Sequence, residues 1–309
     1  MARIAFVFSG QGDQREGMGA DLYEAYAPAK KIFDELEQSR AGLKKLCFEG
    51  SKEDLLQTKN AQPCLFAYEA SVAAILEEAG IKAQTCAGFS LGEVVAISYA
   101  GIANLSDAFE LVCKRGQFMQ QAAENMEPAC MFAILGLGEE EVISACSKFE
   151  HVSPVNFNCP GQIAVSGIAK EMEEFAVCIK EAGGKAIRIK TSGAFHSPFM
   201  KEASAQFATC LDNYKFSSPA IDIYSNLTGK LYPQSENEAK EALAKQICSP
   251  VLWEKTIRNM IEGGIDTFIE IGPGKTLCNL IRKTNKEVKT YTTKDAEAIE
   301  LIRTELATC

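Results

Sequence analysis

Histidine is the scarcest reactive residue in this chain, with only His151 and His196 among 309 residues. Two imidazoles and no clustered thiols argue against a zinc site. The twelve cysteines are spread so widely that the closest pair is Cys146 and Cys159, and no Cys-x-x-Cys occurs. They read as reduced, mostly buried thiols of a reducing compartment. No basic stretch stands out against a net charge of −9, which excludes a phosphate-tracking nucleic-acid surface. No apolar run approaches the length of a membrane span. The opening Met1-Ala2-Arg3-Ile4-Ala5-Phe6-Val7-Phe8 runs straight into a strand pattern without signal-peptide architecture, so the expected location is cytoplasmic. Nucleotide loops are missing too. Gly272-Pro273-Gly274-Lys275-Thr276 lacks the first glycine of a phosphate loop at Ile269. Gly10-Gln11-Gly12 and Gly136-Leu137-Gly138 lack the third glycine of a dinucleotide fingerprint, at Arg15 and Glu141.

What is present is a Gly-x-Ser-x-Gly pattern, Gly88-Phe89-Ser90-Leu91-Gly92, between a short apolar run and a helical stretch. Glycines on both sides let the chain turn sharply and lift the Ser90 hydroxyl above a sheet, with the following N–H free to face an oxyanion. If an imidazole activates Ser90, one of the two histidines supplies it. His196 lies in the small-residue loop Thr191-Ser192-Gly193-Ala194-Phe195-His196-Ser197-Pro198, after a strand-like run, where catalytic groups tend to sit. His151 opens a strand-like run, and its plain reading is a surface histidine. His196 is therefore the favoured partner.

The length allows one large α/β domain or two domains. Strand-like Ile4–Phe8, Ile221–Tyr224 and Thr267–Ile271 alternate with helical patterns, which predicts a mostly parallel sheet. A different rhythm separates them. Met131–Leu135 reads as a strand and Glu139–Lys148 as a helix. Val152–Phe157 and Gln162–Val165 form a hairpin around Asn158-Cys159-Pro160-Gly161. Glu171–Ala182 is a second helix and Lys185–Lys190 a last strand. That βαββαβ order is ferredoxin-like. The expected division is a large domain from residues 1–126 and 193–309 carrying a small domain from residues 127–192, with a site between them.

Ala108, Leu111, Val112, Arg115, Met119 and Ala122 fall on one helical face, which centres a guanidinium on an apolar stripe. Such a group needs an anion or several acceptors. Two readings stay open: a structural ion pair with Asp or Glu, and a fork that grips a substrate carboxylate through two parallel hydrogen bonds.

Taken together, the chain resembles the malonyl-CoA:acyl carrier protein transacylases, acyltransferases of fatty acid and polyketide synthesis. The resemblance covers nearly the whole chain. It rests on Phe8-Ser9-Gly10-Gln11-Gly12, Gly88 through Glu93, Arg115-Gly116-Gln117-Phe118-Met119-Gln120 and Pro154-Val155-Asn156-Phe157-Asn158. It continues through Gly193-Ala194-Phe195-His196-Ser197-Pro198, Gln246 ahead of Pro250-Val251-Leu252-Trp253, and Glu270-Ile271-Gly272-Pro273-Gly274-Lys275. It implies a hydrolase-like parallel-sheet domain with the ferredoxin-like insertion. It further implies Ser90 as the acylated nucleophile, His196 as its base, the N–H groups of Gln11 and Leu91 as the oxyanion hole, and Arg115 as the malonyl carboxylate's partner. A backbone carbonyl near Gln246, the orienting residue, would hold the imidazole, and Phe195 resembles the malonyl-preferring form of its loop. Phe89 departs from the family, which usually has histidine there.

The implied reaction moves malonyl from malonyl-CoA to the phosphopantetheine thiol of acyl carrier protein, without cofactor or metal, in a monomer. Arg188, Lys190 and Lys275 are candidate basic contacts for the carrier. The alternatives are a trans-acting malonyl acyltransferase of polyketide synthesis, a serine thioesterase, and a carrier-binding protein with a disabled site. A thioesterase would place its histidine late, whereas more than a third of this chain follows His196.

Overall fold

The computed structural model describes residues 2–189, 191 and 193–306. Lys190, expected at a strand end and in the carrier contact, and Ser192 lie outside the described residues. The strands in chain order are β1 (Ile4–Phe8), β2 (Thr85–Gly88), β3 (Ala129–Leu135), β4 (Val152–Cys159), β5 (Gln162–Ile168), β6 (Lys185–Ile189), β7 (Asp222–Tyr224), β8 (Thr267–Ile271) and β9 (Lys289–Thr292). Five of them form a parallel sheet in the order β7-β2-β1-β8-β9.

β1 shows why that sheet is central. Its Ile-Ala-Phe-Val-Phe run is buried throughout, as a strand covered on both faces requires. Phe6 and Phe8 point into the larger core cluster, while Ala5 and Val7 join Trp253, Ile257 and Phe268 on the opposite face. The helix Thr58–Glu78 crosses the first cluster almost wholly buried.

The other four strands make an antiparallel sheet in the order β4-β5-β3-β6. With the helices Glu139–Cys146 and Ala169–Glu181 they complete the βαββαβ insertion. Its elements differ from the sequence pattern only at their ends. β3 begins two residues before Met131, β5 runs on to Ile168, and the second helix starts at Ala169. β9 had no signal: Lys-Thr-Tyr-Thr is a partly exposed edge strand without an apolar run.

The insertion is fastened to the parallel sheet's side of the molecule by backbone. Phe157 N–H donates to the Val251 carbonyl and Val251 N–H to the Val155 carbonyl, both at 2.9 Å. Two register shifts in β4, at Pro154/Asn156 and Phe157/Cys159, accompany this bridge. Two motifs that are separate in the sequence therefore meet in space. No helix of the described residues is long and apolar enough to cross a membrane.

Candidate active site

The site assembles at the carboxyl ends of β1, β2 and β7, where loops leave a parallel sheet. After β2 the chain turns through Phe89-Ser90-Leu91 into the helix Gly92–Tyr99. Ser90 takes the left-handed conformation, with φ 58°. Both flanking glycines are forced by close approach. A methyl group at Gly88 would lie 1.9 Å from the Gly92 carbonyl carbon, and one at Gly92 would lie 2.4 Å from the Phe8 carbonyl oxygen. A left-handed non-glycine residue costs on the order of 1–3 kcal/mol, so something must hold the turn. Asn226, just past β7, does so. Its Oδ1 accepts the Ser90 N–H at 2.7 Å and its Nδ2 donates to the Gly88 carbonyl at 2.6 Å.

His196 also has positive φ, 59°, and is buried. Its Nε2 lies 2.7 Å from Ser90 Oγ and its Nδ1 lies 2.9 Å from the Gln246 carbonyl oxygen. A carbonyl can only accept, so Nδ1 carries the proton and Nε2 presents a lone pair to the serine hydroxyl. Burial, reinforced by the nearby Arg115 charge, pushes the imidazole down to about 4. At neutral pH it is an uncharged base.

Arg115 is fully buried in the helix Leu105–Asn125. Among the described residues it has no carboxylate within ion-pair distance. Its acceptors are amide oxygens: Nη1 donates to Gln62 Oε1 at 2.8 Å and Nη2 to Gln246 Oε1 at 2.7 Å. Nη2 also lies 3.3 Å from Ser90 Oγ, and Nε has no partner among the described residues. Desolvation lowers the guanidinium to about 10, and it stays charged at neutral pH. A cation with neutral partners, beside a serine hydroxyl, can receive an anionic substrate group.

Gln11 sits in the loop after β1, anchored by its Nε2 donating to Thr58 Oγ1 at 3.1 Å. Neither the Gln11 nor the Leu91 backbone N–H bonds to another described residue. Gln11 lies three residues past β1 and Leu91 three residues past β2, and the two strands pair side by side up to Phe8 and Gly88. A cavity of about 670 Å³ opens over Ser90 and His196. Gln11, Phe89 and Phe195 line it from the parallel-sheet side, and Met131 and Asn156 from the insertion. Phe89 packs edge-on against buried Trp253 at 5.4 Å, so the position that departs from the family pattern is an aromatic contact.

His151 makes no hydrogen bond or ion pair with Ser90, His196 or Arg115. Its Nδ1 pairs with Glu171 Oε1 at 2.7 Å, and its ring stacks on Phe199. The side chains that sequence reasoning did not assign are Asn226, Gln62 and Glu93. Only Glu93 carried a signal, a charge inside an otherwise apolar helix. Among the described residues no group of three or more His, Cys, Asp or Glu could hold a metal ion.

The family model for the acyl transferase domain matches residues 5–305. The chain is 41% identical over 307 residues to the malonyl CoA-acyl carrier protein transacylase of Bacillus subtilis, covering 97% of this chain and 96% of that protein. The structure of an acyl carrier protein S-malonyltransferase from Vibrio cholerae superposes with a TM-score of 0.92 at 35% identity, covering 97% of this chain and 100% of that one. A malonyl-transacylase solved in complex with a type II polyketide acyl carrier protein superposes equally well, with TM-score 0.92 at 32% identity and 97% and 98% coverage.

Proposed function

Because the chain belongs to the acyl transferase domain family, we propose that it transfers malonyl from malonyl-CoA to the phosphopantetheine thiol of acyl carrier protein, supplying fatty acid synthesis. The observation that carries this reading is a guanidinium 3.3 Å from a serine oxygen that an uncharged imidazole also contacts at 2.7 Å.

In the first half-reaction His196 Nε2 takes the Ser90 proton as Oγ bonds to the thioester carbonyl carbon. The N–H groups of Gln11 and Leu91 receive the oxyanion. Collapse breaks the C–S bond, and the imidazolium returns its proton to the CoA sulfur. In the second half-reaction His196 takes the proton of the carrier thiol, whose sulfur attacks the malonyl ester, and Ser90 leaves with that proton. The Gln246 carbonyl keeps the imidazole in the required tautomer. Arg115 holds the malonyl carboxylate, an interaction that an acetyl group cannot make.

The same reading treats residues 127–192 as a small domain inserted into a large one, residues 1–126 and 193–309. It needs no cofactor, and it places the protein in the cytoplasm as a monomer. Arg188 and Lys275 remain the basic candidates for carrier contact. A carrier of polyketide assembly is the second reading, favoured by the type II polyketide carrier bound to one structural relative.

The test is intact-mass analysis after mixing with malonyl-CoA or acetyl-CoA, with Ser90→Ala as control. A single malonyl adduct mapped to Ser90, with far less acetyl adduct, supports the proposal. Malonate release without any adduct contradicts it in favour of a hydrolase. No reaction at all contradicts it in favour of a disabled site.

A further inference from the structure

Glu93 lies in the first turn of the helix that follows Ser90, is fully buried, and takes no part in the steps above. Its Oε2 accepts from Gln246 Nε2 at 2.8 Å, and its Oε1 faces the Asn226 backbone N–H at 3.4 Å. Gln246 Nε2 also donates to the Ser90 carbonyl at 2.6 Å, while Gln246 Oε1 accepts from Arg115. The Gln246 amide is thus enclosed by a donor-only group and two acceptor-only groups. Arg115 demands the oxygen, and the Glu93 carboxylate and Ser90 carbonyl demand the NH₂. Turning the amide over would set donor against donor and acceptor against acceptors, with every group buried.

Three functions meet on this one residue. The side-chain oxygen of Gln246 fixes the Arg115 fork, its NH₂ fixes the backbone of the nucleophile, and its backbone carbonyl fixes the His196 imidazole. The Glu93 carboxylate shares that NH₂ with the Ser90 carbonyl and is the one charged acceptor on it; it is also the charge that stabilises the Arg115 guanidinium. The contact is indirect: one amide separates cation from anion, so the guanidinium keeps capacity for a substrate carboxylate.

We propose that Glu93 is a positioning residue for malonyl transfer. Through the Gln246 side chain, its ionised carboxylate aligns the Arg115 fork, the Ser90 turn and the His196 imidazole. The inference rests on the transacylase reading above. Burial raises Glu93 to about 7, against the hydrogen bonds from Gln246 and the Asn226 backbone and the charge of Arg115. Arg115 and the buried Tyr232 phenol are the titratable groups that face it. The aligned state therefore fills as pH rises through about 7, well above the range in which His196 titrates.

The experiment follows single-turnover acylation of Ser90 by malonyl-CoA and by acetyl-CoA, for the wild-type protein and Glu93→Gln at pH 8. Glu93→Gln is nearly isosteric but removes the charge and sets an NH₂ against one of the two donors that face the carboxylate, the Gln246 NH₂ or the Asn226 backbone N–H. The expected result is a maximal malonylation rate lower by about tenfold or more, half-saturation changed by less than about threefold, and a reduced malonyl-over-acetyl preference. A folded Glu93→Gln protein with wild-type rate and preference overturns the proposal. Should that variant not fold, the wild-type pH profile decides. A malonylation rate rising between pH 6 and 8 supports the role, and a flat profile over that range overturns it. If the wild-type protein acquires no malonyl group at any pH, the transacylase reading has failed, an outcome distinct from a normal Glu93→Gln enzyme.

Discussion

His151 and His196 are the chain's only imidazoles, and the two regions around them impose opposite chemistry on the same side chain. His151 stands at the surface with a carboxylate on Nδ1, and the hydrogen bond it donates to Glu171 raises its affinity for a proton. His196 is buried with a neutral carbonyl on Nδ1 and a guanidinium nearby, and both burial and charge lower its affinity. A carboxylate partner favours the imidazolium. A carbonyl fixes the tautomer without doing so. Desolvation and orientation together leave His196 an uncharged imidazole with its Nε2 lone pair on the Ser90 hydroxyl, on a loop residue held at positive φ.

Substitution at the buried site gives the largest expected effect. His196→Ala should slow Ser90 acylation by about 10²–10⁴-fold in a mass-detected time course, the usual contribution of a positioned base. Next comes the selectivity of the neighbouring cation. Arg115→Ala should lower the malonyl-over-acetyl rate ratio by about a hundredfold, and Arg115→Lys should recover only part of it, because an ammonium lacks the planar fork. A ratio unchanged in Arg115→Ala would detach the guanidinium from substrate recognition.

The two histidines should also leave opposite marks on stability. His196 is held near 4, below its ordinary 6.5, so the unfolded chain takes up a proton that the native state refuses. Its contribution is intact above about pH 6.5 and is lost as the pH falls toward 4. Thermal melts of His196→Ala should therefore decline less than wild type between pH 7 and pH 4.5. The raised His151 works the other way: its pairing stabilises at low pH and fades as the pH rises through its folded value. That pair is exposed, so the effect on melting should be small. The smallest expected effect is on catalysis by His151→Ala, which should acylate Ser90 within about twofold of wild type, as surface substitutions away from a site usually do. A large loss there would erase the contrast.

Sequence carried those parts of the site whose geometry forces a spacing. The Ser90 turn was readable because two glycines must flank it, and the structure leaves no room for a methyl group at either. Arg115 was readable because its helix repeats apolar residues on one face. The insertion was readable from its alternating strand and helix periods. Asn226 and Gln62 were not, since an amide in a loop or in a buried helix follows no period. Glu93 was visible as a charge but silent in meaning, because an acid in the first turn of a helix is ordinarily satisfied by the helix dipole. Its partners, Asn226 and Gln246, lie 133 and 153 residues away in sequence. β9 escaped because an edge strand needs no apolar run.

The most direct measurement is the fate of the acyl-enzyme. Malonylated protein, freed of malonyl-CoA, would be divided between buffer alone and buffer with phosphopantetheinylated acyl carrier protein, and the mass of both proteins followed in time. The account predicts rapid appearance of malonyl on the carrier and a long-lived adduct in buffer alone. Equal rates of loss in both, with free malonate as the product, would contradict it and make the protein a hydrolase.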